Sequence, residues 1–192
     1  MSESHESSKE AFQRKCSILI SLIASMLLIN NLGSQNSGSS AAFLNASAIN
    51  TYAFFQAKSV RQNDLNLTAN TLDAIVDTSP TVNESTKHVI RDKAEAMRAK
   101  AKSYDSDPES GEGKKELLAK AKASEVARDA AMEKGPYFDF AGLLLQLSII
   151  LFSVVLITER RTLYLSASAA AILGTFLSLD GFFLFLKIPL LS

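Results

Sequence analysis

Two long apolar stretches near the end of the chain constrain its fold more than any other feature. Residues 138–158 read FDFAGLLLQLSIILFSVVLIT, and residues 163–186 read LYLSASAAAILGTFLSLDGFFLFL. A helix needs about 20 apolar residues, at roughly 1.5 Å each, to cross a bilayer, and both stretches are long enough. The joint between them, residues 159–162, is too short to hold a domain. The pair therefore predicts a membrane hairpin.

A third apolar stretch lies near the N-terminus, where residues 16–32 read CSILISLIASMLLINNL. Its length of about 17 residues is the lower limit for a span. A basic start before an apolar centre is also typical of a signal peptide, but the candidate cleavage point near Ala41 lies well past the apolar run. We therefore expect a first span that is not removed.

Basic residues at the ends of the spans predict how the chain is threaded. These residues are Lys9, Arg14, Lys15, Arg160 and Arg161. Because Lys and Arg that flank spans are retained in the cytoplasm, the N-terminus and the joint are both expected there. The two ends agree only if residues 34–136 are exported, which in a bacterium means the periplasmic side of the inner membrane.

The expected fold class is an all-α membrane protein with three transmembrane helices and a long periplasmic helical hairpin of coiled-coil character between the first and second. The expected segments are a cytoplasmic tail (1–15), the first span (16–33), the periplasmic helical region (34–136), the second span (137–158), the cytoplasmic joint (159–162), the third span (163–186) and a periplasmic tail (187–192).

The exported region begins with a heptad pattern over residues 41–76. Its seam is Ala46, Ala53, Val60, Leu67 and Ala74, and the companion column is Ile49, Gln56, Asn63 and Asn70. A period of seven is typical of a coiled coil, although a mostly polar companion column packs weakly. A lone amphipathic helix is the alternative. The preceding residues 34–40, SQNSGSS, are expected to be frayed unless a helix bridges them.

Two shorter helices are expected after the DTSP stop at residues 77–80. The first runs from about residue 82 to residue 103, and its apolar face is Ile90, Ala94, Met97, Ala101 and Tyr104. Arg91 and Arg98 lie on its charged face, where Glu95 can pair with either. The second spans residues 114–134 and is expected to end at Gly135-Pro136.

The loop between these helices has some features of a calcium site. Its acidic positions are Asp105, Asp107, Glu109 and Glu116. Oxygen ligands at alternate positions suit a hard cation, but Ser110 replaces the usual glycine and Pro108 interrupts the loop. A solvated acidic turn is the favoured interpretation, so neither a metal nor another cofactor is expected.

Polar and small residues within the spans are candidates for contacts inside the bundle or with a partner. Asp180 is expected near the outer boundary, within reach of water, in a structural or interfacial role rather than in a proton relay. Gln146 is expected opposite Gly174, where it could form an interhelical hydrogen bond. Small residues recur every four positions at Ser166, Ala170, Gly174 and Ser178, and again at Ser17, Ser21 and Ser25.

No arrangement of catalytic residues stands out. The sequence lacks a glycine-rich phosphate loop, and no Ser-His-Asp, Cys-His or paired-carboxylate pattern is visible. The 20 basic and 20 acidic residues balance, so nothing attracts nucleic acid in general. We expect a protein that is not an enzyme.

Two short tracts carry a resemblance to a known family. The first is Thr51-Tyr52-Ala53-Phe54-Phe55-Gln56-Ala57-Lys58-Ser59, and the second is Ile157-Thr158-Glu159-Arg160-Arg161 with Leu163 and Tyr164. The chain resembles a bacterial membrane family known as domain of unknown function 4337. It departs from that family in having Tyr52 where tryptophan is commoner. The family implies no activity, but the large side chains Tyr52, Phe54 and Phe55 suit packing at a helix junction or on a partner.

These observations favour a structural or accessory membrane subunit. It is expected to self-associate, or to dock on a larger membrane complex, through its spans and its periplasmic helices. The partner or packing residues are Tyr52, Phe54, Phe55, Gln56, Lys58, Ser166, Ala170, Gly174 and Ser178. The alternative is an oligomeric transporter or ion-conducting component that uses Asp180 and Gln146. Membrane lipids are expected around the spans.

Overall fold

Within residues 2–186 the chain forms five helices and no strand. A computed structural model describes these residues, with side chains from Glu10 onward; the tail expected at 187–192 lies outside them. The helices are α1 (Ser2–Thr78), α2 (Glu84–Ser103), α3 (Lys114–Met132), α4 (Gly135–Thr158) and α5 (Arg161–Phe183). The predicted all-α class is confirmed.

Three helical segments are long and apolar enough to cross a membrane, as predicted. They are Glu10–Thr78, Lys114–Thr158 and Arg161–Phe183. Within the second segment the long apolar run belongs to α4, since α3 carries charged residues along its whole length.

The chain divides into two compact units. One contains residues 1–42 and 128–192, and the other contains residues 43–127. The core of the first unit joins α1, α4 and α5, because Cys16 and Ile23 pack with Leu145, Phe152 and Ala167. A lone cysteine here serves as a small packing residue.

Residues 34–40 are helical, so the alternative in which a helix bridges them is correct and fraying is wrong. The reason lies on one face of α1. Gly33, Ser37 and Ala41 are spaced by four and are buried in the first unit. The Ser37 hydroxyl donates a hydrogen bond to the carbonyl oxygen of Ala131. Packing of small side chains therefore holds a segment whose composition alone suggests a loop.

The second unit packs the later part of α1 with α2 and most of α3. Its buried residues are mainly small, as at Ala48, Ala69, Ala94 and Ala121, so the helices approach closely. The predicted face of α2 is the buried one: Ala94 and Ala101 are buried, and its other three members are half-buried.

Cross-helix pairs show why the charged face of α2 differs from its prediction. Arg91 lies 3.5 Å from Asp77, and Arg98 pairs with Asp73 and donates a 2.9 Å hydrogen bond to Asn70. Both arginines therefore reach acidic residues of α1 instead of Glu95.

Local chemistry explains the helix ends that differ from prediction. α2 starts at Glu84 because the Asn83 side chain accepts a 2.8 Å hydrogen bond from the amide of Thr86. Gly135-Pro136 starts α4 rather than ending α3, because proline fits the first turn of a helix. Glu159, in the left-handed region at φ 53°, ends α4 and leaves a very short connection to α5.

Candidate interaction surfaces

The aromatic tract of α1 is divided between an inner and an outer face of the helix in the second unit. The Tyr52 hydroxyl is 3.1 Å from Oε2 of Glu125 on α3. The ring of Phe55 lies beneath the ammonium of Lys114, 5.5 Å from ring centroid to Nζ. Tyr52 and Phe55 thus pack inside the unit.

Lys58 belongs to the same inner face. Its Nζ atom lies 3.5 Å from Oε2 of Glu112 and 5.9 Å from the ring centroid of Tyr104. Its side chain is only 13% exposed. The ion pair and the cation–π contact attach the α2–α3 loop to α1.

Gln62, one turn further along, completes this attachment. Its side-chain nitrogen donates hydrogen bonds of 2.9 Å to the carbonyl oxygen of Ala101 and 2.8 Å to Asp105, and its Oε1 atom accepts one of 2.8 Å from Lys114. Sequence analysis missed Gln62, which lies four residues after Lys58 and therefore on the same helix face.

Phe54 and Gln56 lie on the outer side of the same tract. Both are exposed, Phe54 at 58%. Phe54 lines a surface pocket of about 300 Å³ together with Thr51, Gly111 and Lys120. Five residues of the tract were predicted to contact a partner, and of these Phe54 and Gln56 are exposed enough to do so.

The predicted heptad seam of α1 is exposed along its whole length. Val60 and Leu67 are 58% and 68% exposed, and the three alanines of the seam are exposed as well. The face that binds α2 and α3 is a different one, formed by residues such as Ala48, Ala69 and Val76. An apolar, heptad-spaced surface is therefore left without a partner among residues 10–186 of the single chain.

The acidic loop does not form the candidate calcium site. Among residues 10–186 no group of three or more His, Cys, Asp or Glu side chains is placed to hold a metal. The candidate ligands are Asp105, Asp107, Glu109 and Glu116. Three of them bind groups of the protein: Asp105 accepts from Gln62, Asp107 from Ser110, and Glu116 from Ser106. In the structure these three carboxylates order the turn itself.

The same hydrogen bonds lower the pKa values of two carboxyl groups in this loop. The Ser110 hydroxyl, helped by the Ser110 amide, lowers the pKa of Asp107. The Ser106 hydroxyl, helped by the amide of Asp107, lowers the pKa of Glu116. Both carboxylates therefore remain charged to lower pH than usual.

The small-residue stripe of α5 faces α4 within the first unit. Ala170, Gly174 and Ser178 are buried, whereas Ser166 is exposed. A Cβ atom on Gly174 would lie 3.0 Å from Cγ of Leu145. The stripe therefore serves close approach of two helices of one chain. The serines of the first span, in contrast, face outward and bond to their own backbone, as Ser21 does to Ser17 at 3.1 Å.

Gln146 and Asp180 do not come together. Gln146 is exposed, and Gly174 faces Leu144 and Leu145 instead, so the predicted interhelical hydrogen bond of Gln146 is wrong. Gln146 lies at about the same height in the bundle as Gly174, as predicted, but its side chain faces outward.

Asp180 is 1% exposed rather than within reach of water, which corrects the expected accessibility. Its Oδ1 atom accepts a 2.9 Å hydrogen bond from the amide of Leu186, just beyond the end of α5. This bond ties the segment after α5 back to the last turn of the helix.

Polar contacts that sequence analysis missed join α1 to α4. Nδ2 of Asn30 donates a 2.9 Å hydrogen bond to the carbonyl oxygen of Phe138, and Asn30 is 1% exposed. The Phe138 ring lies against Gly33 and Gly181 and meets Phe182 edge-on at 4.9 Å. The sequence did carry a signal for this contact, because small residues spaced by four, at Gly33, Ser37 and Ala41, mark a helix face that can pack closely.

The basic residues predicted to direct threading lie on the surface at one end of the first unit. Arg14, Lys15, Arg160 and Arg161 are all exposed. The Phe12 ring of α1 packs 5.8 Å from the Tyr164 ring of α5, and Tyr164 in turn meets Phe152 of α4 at 5.6 Å. These aromatic contacts bring the start of α1 to the α4–α5 joint.

These features define a class: an all-α protein with three helices long and apolar enough to cross a membrane. The sequence profile of a family described as a domain of unknown function (DUF4337) matches residues 12–184. The chain belongs to this family. No curated protein and no solved structure matches it.

Proposed function

We propose that the protein is a non-enzymatic, membrane-anchored scaffold that pairs with a second copy of itself through the exposed heptad face of α1. The single observation that carries the proposal is the exposure of the seam at Val60 and Leu67, at 58% and 68%. The inner face of α1 is already occupied by α2 and α3, so the seam remains for a partner. The chain would act as a structural or accessory subunit of a membrane assembly.

The pattern of the seam favours a second copy over an unrelated partner. A heptad surface is self-complementary when two copies lie parallel and in register. Two chains anchored in one membrane share the same orientation, and a two-fold axis along the membrane normal gives a parallel pair. Asn63 in the companion column would then face its own copy, which specifies register at a cost in stability; Asn70 is instead bonded to Arg98 of α2.

The threading of the chain is part of the proposal. Cations at the start of α1 and in the α4–α5 joint favour a cytoplasmic location for both. Residues 34–136 would then project into the periplasm from a bacterial inner membrane, and the seam would meet its copy there.

Cysteine cross-linking tests the pairing. In a background with Cys16→Ala, we expect Leu67→Cys to form disulfide-linked dimers in membranes under mild oxidation. Thr68→Cys is the matched control, because Thr68 is also exposed but lies about 100° further round the helix. Cross-linking at least tenfold more efficient at Leu67 supports the parallel pair. Equal yields at both positions, or a monomer in each case, would contradict it.

A further inference from the structure

The basic end of the first unit gathers cations from two segments that are far apart in sequence. Arg14 and Lys15 belong to α1, and Arg160 and Arg161 lie at the α4–α5 joint. The contact of Phe12 with Tyr164, at 5.8 Å between ring centroids, brings these segments together. Residues 10–15 and 159–164 together carry two more cations than carboxylates.

These cations are available to a ligand. Within the part of the chain that the structure describes, Lys15, Arg160 and Arg161 have no hydrogen bond or ion pair through their side chains. Arg14 lies 4.0 Å from Glu10, and both of those side chains are largely exposed at 81% and 65%. Such an exposed pair is weak and is screened by salt.

Exposed apolar side chains lie next to the cations in sequence and on the same helices. Ile18 is 61% exposed, Ile157 is 86% exposed and Leu165 is 58% exposed. A surface that places cations beside apolar side chains matches a molecule with an anionic head and an apolar tail. The first turn of α5 adds to this match, because Arg160 provides no side-chain cap for its free amide groups.

We propose that this basic end binds the headgroups of anionic phospholipids in the adjoining leaflet. The inference rests on the membrane placement in the proposed function but not on pairing. Arginine suits the phosphate because its fork of N–H groups can bind two oxygens at once. The attraction between one such cation and an anionic membrane surface corresponds to about a fivefold higher local concentration of anionic lipid than of neutral lipid.

Fluorescence quenching by brominated lipids tests the proposal, since the chain contains no tryptophan. The full chain with Ile157→Trp is reconstituted in phosphatidylcholine vesicles that contain phosphatidylglycerol. Either lipid is supplied in brominated form. We expect brominated phosphatidylglycerol to quench at least about fivefold more per molecule than brominated phosphatidylcholine. In the variant with Arg160→Gln and Arg161→Gln, the ratio of quenching by brominated phosphatidylglycerol to quenching by brominated phosphatidylcholine should fall toward one.

Two controls locate the effect. Lys134→Gln removes a cation elsewhere in the same unit, where Lys134 donates a 3.3 Å hydrogen bond to the carbonyl oxygen of Phe182, and it should leave the ratio unchanged. A Phe185→Trp reporter, at a side chain that is 73% exposed, should give a quenching ratio that Arg160→Gln and Arg161→Gln leave unchanged.

The outcomes separate the possible failures. Equal quenching by both lipids at Ile157→Trp overturns the lipid site and leaves the paired scaffold intact. Quenching by neither lipid overturns the membrane placement and the lipid site together. Loss of the preference in sodium phosphate, but not in sodium chloride of equal ionic strength, means that free phosphate occupies the site and overturns the assignment to lipid.

Discussion

The Phe138 ring of α4 occupies space that a side chain on Gly33 of α1 would need. A Cβ atom built on Gly33 would lie 2.6 Å from Cε1 of Phe138 and 2.7 Å from Cζ of Phe182. The same ring lies against Gly181, where a Cβ would be 3.0 Å away. Three helices therefore meet at one aromatic ring because two of them carry glycine.

Gly33→Ala should destabilise the first unit by about 1–3 kcal/mol, the usual range for overpacking a close contact. Gly38→Ala is the matched control, because no atom lies within 4 Å of its Cβ position. That control should stabilise α1 by about 0.5–1 kcal/mol through helix propensity. Thermal unfolding of the full chain in detergent measures both, and equal shifts in the same direction would contradict the packing argument.

Ser148→Ala should cost about 1 kcal/mol or less. The Ser148 hydroxyl donates a buried 2.9 Å hydrogen bond to the carbonyl oxygen of Ala167, across the α4–α5 contact. The loss is modest because a carbonyl oxygen also accepts from the backbone of its own helix. Ser153→Ala is the control, since that exposed hydroxyl only bonds to the carbonyl oxygen of Ile149. A denaturant titration in mixed micelles should distinguish them; no difference would show that Ser148 does not join the helices.

Lys58→Met should loosen the α2–α3 loop while leaving the helices folded. The change removes the ion pair with Glu112 and the cation–π contact with Tyr104, worth about 1 kcal/mol together because Glu112 is largely exposed. Hydrogen exchange at the Gly111 amide, which donates 2.9 Å to the carbonyl oxygen of Asp107, reports the opening. Exchange should accelerate about fivefold in Lys58→Met and not in Lys100→Met, which alters an exposed lysine. Unchanged exchange in both variants would assign the attachment to Gln62 alone.

The same loop should open in acid. Asp107 and Glu116 have pKa values lowered in the folded chain, chiefly by the Ser110 and Ser106 hydroxyls. Their contribution is therefore fully present above the ordinary carboxyl pKa of about 4, and it is lost as pH falls through the lowered values. Protection of the Gly111 amide, corrected for intrinsic exchange, should decline over that window. Glu116→Gln should reduce protection already at pH 7 and flatten the decline; an unchanged acid response would exclude Glu116 as a cause.

Periodicity predicted most of the fold. Long apolar runs located the three membrane-length helices, and spacing by three and four located the buried face of α2 at Ala94 and Ala101. Both signals depend on averages over many residues, which tolerate single exceptions. Composition misled at residues 34–40, where small residues looked like a loop but instead allow α1 to pack closely.

The interaction surfaces were less predictable, because a side chain's direction depends on its neighbours in space. Gln146 lies one residue from a buried position and faces outward. Lys58 was expected on a partner surface, but it binds Glu112 of its own chain, which is 54 residues away. No local pattern encodes such a pairing. The heptad spacing of the seam is visible in the sequence, but only the structure shows that α2 and α3 leave this face exposed.

The hydrogen bond from Asn30 to Phe138 has a consequence for how the protein is made. Its two partners are 108 residues apart, so the ribosome completes α1 long before α4 emerges. During that interval the amide of Asn30 and the notch at Gly33 have no intramolecular partner, and α1 is exposed to capture by other helices. α4 and α5, joined by a very short connection, can form as a pair and then close over α1. The face of α1 that carries Asn30 and Gly33 therefore depends on the last two helices of the chain for its burial.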